Sequence, residues 1–171
     1  DLVIHLGGFS KALMPGLRMG YITAPHPLHR RLLSFKHSAD LCTPGLMQQA
    51  TATFLRSGHF RAHLKRVRPI YTRRRDRLIS ALNRNMPPEV SWLHPGGGFN
   101  CWLTLPQGVD SVTVQRLALK QPIAVTPGSA FWLDPMPENH IRICFVRQPE
   151  HVIDEGVEIL AQIIRDEITS L

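Results

Sequence analysis

The chain has 171 residues, about one ordinary domain, with 20 Lys or Arg against 13 Asp or Glu, for a formal net charge of +7. With 43% apolar and 19% charged residues it can bury a core, which excludes a disordered chain. No run approaches the roughly 20 apolar residues that a membrane helix needs. DLVIHLGGFSK lacks the basic start and small-residue cleavage site of a signal peptide. Cys42, Cys101 and Cys144 are an odd set without CxxC spacing, which argues against a disulfide scaffold or a zinc cage. A soluble, reducing, cytoplasmic setting without a membrane is expected.

The first residue is Asp1, directly before an apolar run, so the chain is expected to be a piece of a longer one. Leu2 to Leu6, ending in Gly7-Gly8, has the pattern of a buried strand entering a tight loop. A second strand is expected at Met19–Thr23 and a helix at Leu28–Ala39. Thr43-Pro44 predicts the next helix start, with Thr43 as N-cap and Pro44 at the first helical position, and Gly58 predicts its end.

A long basic helix follows, to about Asn85, with Phe60, Leu64, Val67, Tyr71, Leu78 and Leu82 forming one apolar stripe. Nine Lys or Arg and one acid, Asp76, lie between Arg56 and Arg77, so this window carries +8 and the remainder −1. Pro69 is expected to kink the helix. The basic faces read either as a solvated helix or as a surface for nucleic acid or another anion. No aromatics interleave with the cations as a stacking platform would require.

Met86-Pro87-Pro88 marks a boundary. Beyond it the pattern predicts strands at Val90–Leu93, Phe99–Leu105, Ile123–Val125 and Ile141–Val146, and helices at Ser111–Lys120 and Glu150–Ser170. In the last strand Ile141, Ile143 and Phe145 point one way, Arg142 and Cys144 the other. The final helix has its stripe at Ile153, Val157, Leu160, Ile164, Ile168 and Leu171. Strands alternating with helices indicate an α/β architecture, with the first part the edge of one layer and the rest a smaller domain with its own sheet.

The sharpest feature is Gly7-Gly8-Phe9-Ser10-Lys11, then Pro15-Gly16-Leu17-Arg18-Met19-Gly20-Tyr21. A lysine among small residues between apolar strands is either an ordinary surface lysine in a Gly-rich turn or a buried amine. Burial would lower its pKa and produce a nucleophile able to form Schiff bases. Arg18 offers a fork of donors suited to a phosphate, and Ser10 adds a hydroxyl. A reactive amine with an Arg and Ser clamp is what pyridoxal phosphate requires.

FSKALMPGLRMGYITAP resembles the lysine segment of fold-type I aminotransferases of class I/II, whose usual form is SFSK, six residues, then RLGY. SGHFRAHLKRVRPIYTRRRDRLISAL resembles their long interdomain helix region. It is especially similar to the aminotransferase-like half of MocR-type regulators of the GntR family. HPGGGFNCWLTLPQGVD, IAVTPGSAFW and NHIRICFVRQPEHVIDEGVEIL resemble, in order, the first small-domain strands, the PG-x-x-F loop, and the carboxylate-binding strand with the final helix.

The resemblance implies an α/β chain made of the α+β C-terminal small domain of that fold plus the lysine strand and interdomain helix of the large domain. It divides the chain into residues 1–58 (end of the cofactor-binding large domain), 59–85 (interdomain basic helix) and 86–171 (small domain). It implies that Lys11 forms the internal aldimine with pyridoxal 5'-phosphate and shuttles the substrate proton, that Ser10 and Arg18 hold the cofactor phosphate, and that Arg142 binds the carboxylate of an amino acid or 2-oxo acid. On its residues alone, Arg142 fits an anion site or an ordinary ion pair equally well. One position departs from the pattern: many relatives carry Ser or Thr three residues before the lysine, and here it is Gly8.

In that family the acid that pairs with the pyridine nitrogen, the ring-stacking aromatic and the Gly-rich phosphate cradle lie before the lysine, and none can be located here. The chain alone is therefore expected to be a poor or inactive catalyst. The parent is expected to be a homodimer. It is either a MocR-like transcriptional regulator, touching DNA only through an upstream winged helix-turn-helix, or a free-standing aminotransferase. A non-catalytic dimerisation or interaction module is a third reading.

Other patterns read more plainly. His59 and His63 share a helix face without a completing acid or cysteine, which favours a solvated pair over a metal site. Cys101 and Cys144 read as buried small hydrophobes, and Trp92, Trp102 and Trp132 as core or interface. Gly96–Gly98 reads as a strand-entry turn or as a close approach for substrate, and Thr126–Phe131 as lining a substrate entrance.

Overall fold

Two short strands whose ladder includes three glycines open the chain. The computed structural model describes residues 3–133 and 138–171. In it β1 (His5–Gly8) pairs antiparallel with β2 (Gly20–Thr23), His5 opposite Thr23 and Gly8 opposite Gly20. The strand thus lies later than the Leu2–Leu6 expectation, of which Leu2 is outside the described residues, and Gly7 and Gly8 belong to the ladder. Gly7 has to be glycine there, because the Tyr21 ring covers it across the ladder and would overlap a Cβ. The first strand is not the buried one expected, since Ile4 and Leu6 are exposed, as is Ile22 beside them on β2.

Helix α1 (His26–Asp40) and helix α2 (Gly45–Arg56) follow. Thr43 is not the cap of α2. Pro44 takes that position with extended backbone, and the Thr43 carbonyl accepts a hydrogen bond from Gln48 Nε2 at 2.8 Å. Gly58 ends this segment as expected, at a φ of +79° that favours glycine.

Helix α3 (His59–Asn85) contains Pro69. The chain separates into two compact units, residues 1–67 and 68–171, so the division falls inside α3, two residues before the proline.

The second unit holds nearly all of the buried apolar side chains. Its sheet has the order β3 (Ser91–Trp92), β4 (Asn100–Thr104), β6 (His140–Cys144), β5 (Thr126–Pro127), with every pair antiparallel. Strand β5 replaces the expected strand at Ile123–Val125. The Val125 carbonyl is taken by Gln115 Nε2 at 3.1 Å, and ladder pairing starts only at Thr126.

Alternation decides the two faces of this sheet. Cys101, Leu103 and Ile141 are buried on one face, packed with Leu78 and Leu82 of α3, Val114 of α4 (Ser111–Ala118) and Ile153, Val157, Leu160 and Ile164 of α5 (Glu150–Thr169). Cross-strand neighbours share a face, so Asn100, Trp102 and Thr104 lie with Cys144, Arg142 and His140 on the other. Cys144 is accordingly exposed, against expectation, while Cys101 is buried. Burial pushes the Cys101 thiol up to about 11, against a smaller opposing effect of the Trp102 backbone hydrogen bond. Trp92 packs on the core face, as expected.

Asp110 caps α4, accepting from Val112 N at 3.0 Å and from Thr113 N and Oγ1, each at 2.8 Å. Burial alone would raise its pKa. The three hydrogen bonds, helped by the nearby Arg116 charge, outweigh that and hold the carboxyl below its ordinary 3.8. A depressed carboxylate contributes stability above its unfolded pKa and loses it as pH falls through the folded one. Asp110→Ala is expected to cost about 1 kcal/mol at neutral pH, and the difference from the parent sequence should shrink below the ordinary carboxyl value. Urea melts at neutral and acidic pH check both points.

Candidate functional site

The connection between β1 and β2 carries the lysine. Phe9 N donates to Met19 O at 3.0 Å, which continues the ladder one step past Gly8 and Gly20. Residues 10–18 are therefore the closing loop of the ribbon, and Ser10, Lys11 and Arg18 all sit on it. Leu13 N bonds back to Phe9 O at 2.8 Å, and Pro15–Leu17 form one 3-10 turn that Arg18 caps at φ +49°. The ring of Phe9 lies 5.7 Å from Tyr21 and 6.4 Å from Phe60 of α3, which anchors the start of the loop.

Lys11 and Arg18 are exposed and Ser10 is half-buried. No side-chain hydrogen bond or ion pair engages any of the three among the described residues. Of the two readings open for Lys11, surface lysine or buried amine, the exposed side chain matches the first. The ribbon has no layer over this loop within the first unit, where Thr51 is the one buried residue among those described. At Gly8 an added Cβ would lie 3.9 Å from the Met19 carbonyl oxygen, ordinary contact, so packing does not exclude the serine or threonine usual there.

Arg142 lies in the second unit, in the middle of β6. Its cross-strand neighbours are Trp102 on β4 and Thr126 on β5, so the three form one row across the polar face of the sheet. The guanidinium carbon sits 4.5 Å from the centre of the Phe131 ring, a cation–π contact. Nη2 reaches Thr126 Oγ1 at 3.4 Å, and Nε is buried with no partner. No carboxylate of the described residues pairs with Arg142.

Aromatic rings enclose this row. Trp102 lies 5.7 Å from Phe131, 6.0 Å from Trp132 and 5.6 Å from His140. Trp102 and Trp132 thus belong to the surroundings of Arg142 and not to the core. Their signal in the sequence was parity: Trp102 alternates with Cys101 and Leu103, as Arg142 alternates with Ile141 and Ile143.

The loop from Thr126 to Phe131 does border Arg142. Gly128 makes this possible, because a Cβ there would meet His140 Cβ at 2.7 Å and the His140 carbonyl oxygen at 3.1 Å.

The two helical histidines are otherwise occupied or separate. His59 Nδ1 lies 2.5 Å from Ser57 Oγ, and its ring stacks on Phe54 at 5.8 Å. Among the described residues no group of three or more His, Cys, Asp or Glu is placed to hold a metal ion, and no helix is long and apolar enough to cross a membrane.

Comparison with known proteins decides the family. Residues 1–160 match the aminotransferase class I and II family. The chain belongs to that family. It is 37% identical over 97% of its length to aromatic-amino-acid aminotransferase 1 of Thermococcus litoralis, covering 40% of that protein. It is 35% identical over 82% of its length to the HTH-type transcriptional regulator YjiR of Escherichia coli, covering 30% of it. In structure, the multiple substrate aminotransferase of Thermococcus profundus superposes with a TM-score of 0.95 at 36% identity, over 99% of this chain and 42% of that one. The family member described here therefore spans about two fifths of the length of the aminotransferases it matches. Its α/β fold is theirs.

Gly128→Ala is expected to destabilise the second unit by about 1–3 kcal/mol, because the opposing atoms belong to β6 and cannot swing aside. Ser129→Ala, exposed beside it, should stay within about 0.5 kcal/mol of the parent sequence. Urea melts followed by tryptophan fluorescence compare the two.

Proposed function

We propose that this chain is the C-terminal part of a pyridoxal phosphate-binding module, the effector- and cofactor-binding half of a MocR-type regulator. The observation that carries the reading is Arg142: a guanidinium fixed on a sheet between Trp102, Phe131 and Thr126, with a buried Nε that has no partner among the described residues. A planar fork held this way suits a carboxylate of an amino acid or 2-oxo acid. Phe131 fixes the plane, Thr126 restrains one edge, and the partly desolvated setting strengthens attraction to an anion.

The donor set on the first loop fits the cofactor. A primary amine at Lys11, a hydroxyl at Ser10 and a guanidinium at Arg18, none with a side-chain partner among the described residues, match an aldehyde and a phosphate dianion. When bound, the cofactor supplies an electron sink for the substrate's α-carbon. The chain's contributions are then binding and proton movement: Lys11 Nζ attaches the cofactor and carries the proton, Ser10 and Arg18 grip the phosphate, and Arg142 orients the carboxylate.

The regulator reading is supported by the HTH-type relatives, YjiR among them. A second reading, a free-standing aminotransferase moving an amino group from an amino acid to a 2-oxo acid, is favoured by the 37% identity to the Thermococcus litoralis enzyme. A winged helix-turn-helix encoded upstream of the module would separate them in favour of the first.

Borohydride reduction of the intact parent protein with the cofactor, followed by peptide mapping, is expected to place a pyridoxyl group on Lys11. An unmodified Lys11 peptide refutes the cofactor assignment. Arg142→Ala is expected to weaken carboxylate ligands by about tenfold or more, the scale of a lost charge-assisted hydrogen bond, with a much smaller effect on cofactor binding. Equal losses, measured by calorimetry, would contradict the role.

A further inference from the structure

The net charge divides along the same line as the two compact units. Residues 1–67 hold nine Lys or Arg against two Asp, a net of +7, while residues 68–171 hold eleven against eleven, a net of zero. One of the two acids in the first unit, Asp40, is already bound to Lys36 at 2.7 Å. The second unit supplies its own neutralisation: Arg73 of α3 pairs with Glu150, and Arg77 and Arg84 pair with Asp154. Before Val67 the basic residues of α3 have no such partners. Arg61, Lys65 and Arg66 are exposed, and none makes an ion pair or side-chain hydrogen bond among the described residues.

We propose that the solvent side of the first half of α3, where Arg61 and Lys65 share one face and Arg66 flanks it, binds the phosphate backbone of duplex DNA. It is a contact beyond any made by an upstream helix-turn-helix and independent of the cofactor.

Charge selects a polyanion, and the rest of the face narrows the choice. Protein partners are held by an apolar, desolvated centre, yet among the described residues no large hydrophobic side chain is exposed between Leu55 and Leu93. Single strands and RNA loops are gripped by stacking on exposed aromatics. Of the rings on this half of α3, Phe60 is half-buried and turned toward Phe9, His59 is already stacked on Phe54, and His63 is half-buried. What remains is long flexible cations, with Arg61 and Lys65 one helical turn, about 6 Å, apart along the axis. Such a face suits sequence-independent phosphate contacts, whose affinity comes from released counterions.

The test is the salt dependence of binding between the 171-residue protein and a short fluorescent DNA duplex of mixed sequence, followed by anisotropy. The slope of log affinity against log salt is expected to become shallower by about 2–3 in the combined variant Arg61→Gln, Lys65→Gln, Arg66→Gln, since each phosphate contact contributes about 0.9. The control variant Arg116→Gln, Lys120→Gln, Arg147→Gln removes the same charge from exposed positions of the neutral unit and should leave the slope unchanged. Arg61→Lys with Arg66→Lys should keep it too. Circular dichroism verifies that each variant retains its helix content. Absence of duplex binding, an equal loss in both triple variants, an unchanged slope in the α3 variant, or tighter binding of a single strand or of polyglutamate would each overturn the proposal.

Discussion

The two-residue alternation of β4 and β6 is the constraint on which the second unit depends. Because the two strands pair with Trp102 opposite Arg142 and Leu103 opposite Ile141, one register settles both the core and the site. Leu103 and Ile141 are completely enclosed. A slip of one residue would put a guanidinium among leucines and an isoleucine in its place. The hydrophobic stripes of α3, α4 and α5 that cover this face therefore also hold Arg142 on the other, and the anion binding proposed for Arg142 is tied to the packing energy behind it.

Much of this was legible in the sequence because it depends on period. The stripes of α3 and α5 and the alternation of Ile141, Ile143 and Phe145 need only a count of residues, and the structure has them where the count puts them, except that Leu171, expected to end the α5 stripe, lies beyond the helix and is exposed. What was not legible depends on partners far along the chain. Val125 looks like strand, yet its carbonyl is claimed by Gln115. Thr43 looks like a cap, yet Pro44 displaces it. Cys144 looks like a core residue until its parity with Arg142 is applied. Trp102 was visible as an aromatic, but its place beside Arg142 required the β4–β6 register, which is a long-range fact. Lys11 shows the opposite limit. Its loop was recognisable as a motif, whereas the covering needed for an unusual amine is absent from the residues of the first unit.

Charge follows the same logic. A count along the sequence gave one basic helix, and the structure separates it into two populations with different surroundings. Beyond Pro69 the arginines are structural: Arg74 donates to the Val146 carbonyl and Arg75 to that of Pro95, while Arg73, Arg77 and Arg84 meet acids of α5. The exposed Arg73–Glu150 pair contributes at most about 1 kcal/mol, so its role is less to stabilise than to orient α3 against α5. Before the proline the same residue types on α3 make no ion pair or side-chain hydrogen bond among the described residues.

Asp154 has a consequence of another kind. It is half-buried and receives two arginines seven residues apart on α3, Arg77 and Arg84. The arrangement is lopsided in its tolerance of change. Either arginine can drift to another residue while the remaining one still answers the carboxylate, so the pair is redundant. Asp154 has no understudy: Glu150 is engaged with Arg73. Losing Asp154 would leave two cations facing each other without a counterion. Substitutions in this contact should thus accumulate on the helix with the surplus of charge and be scarce at the single acid that reads it.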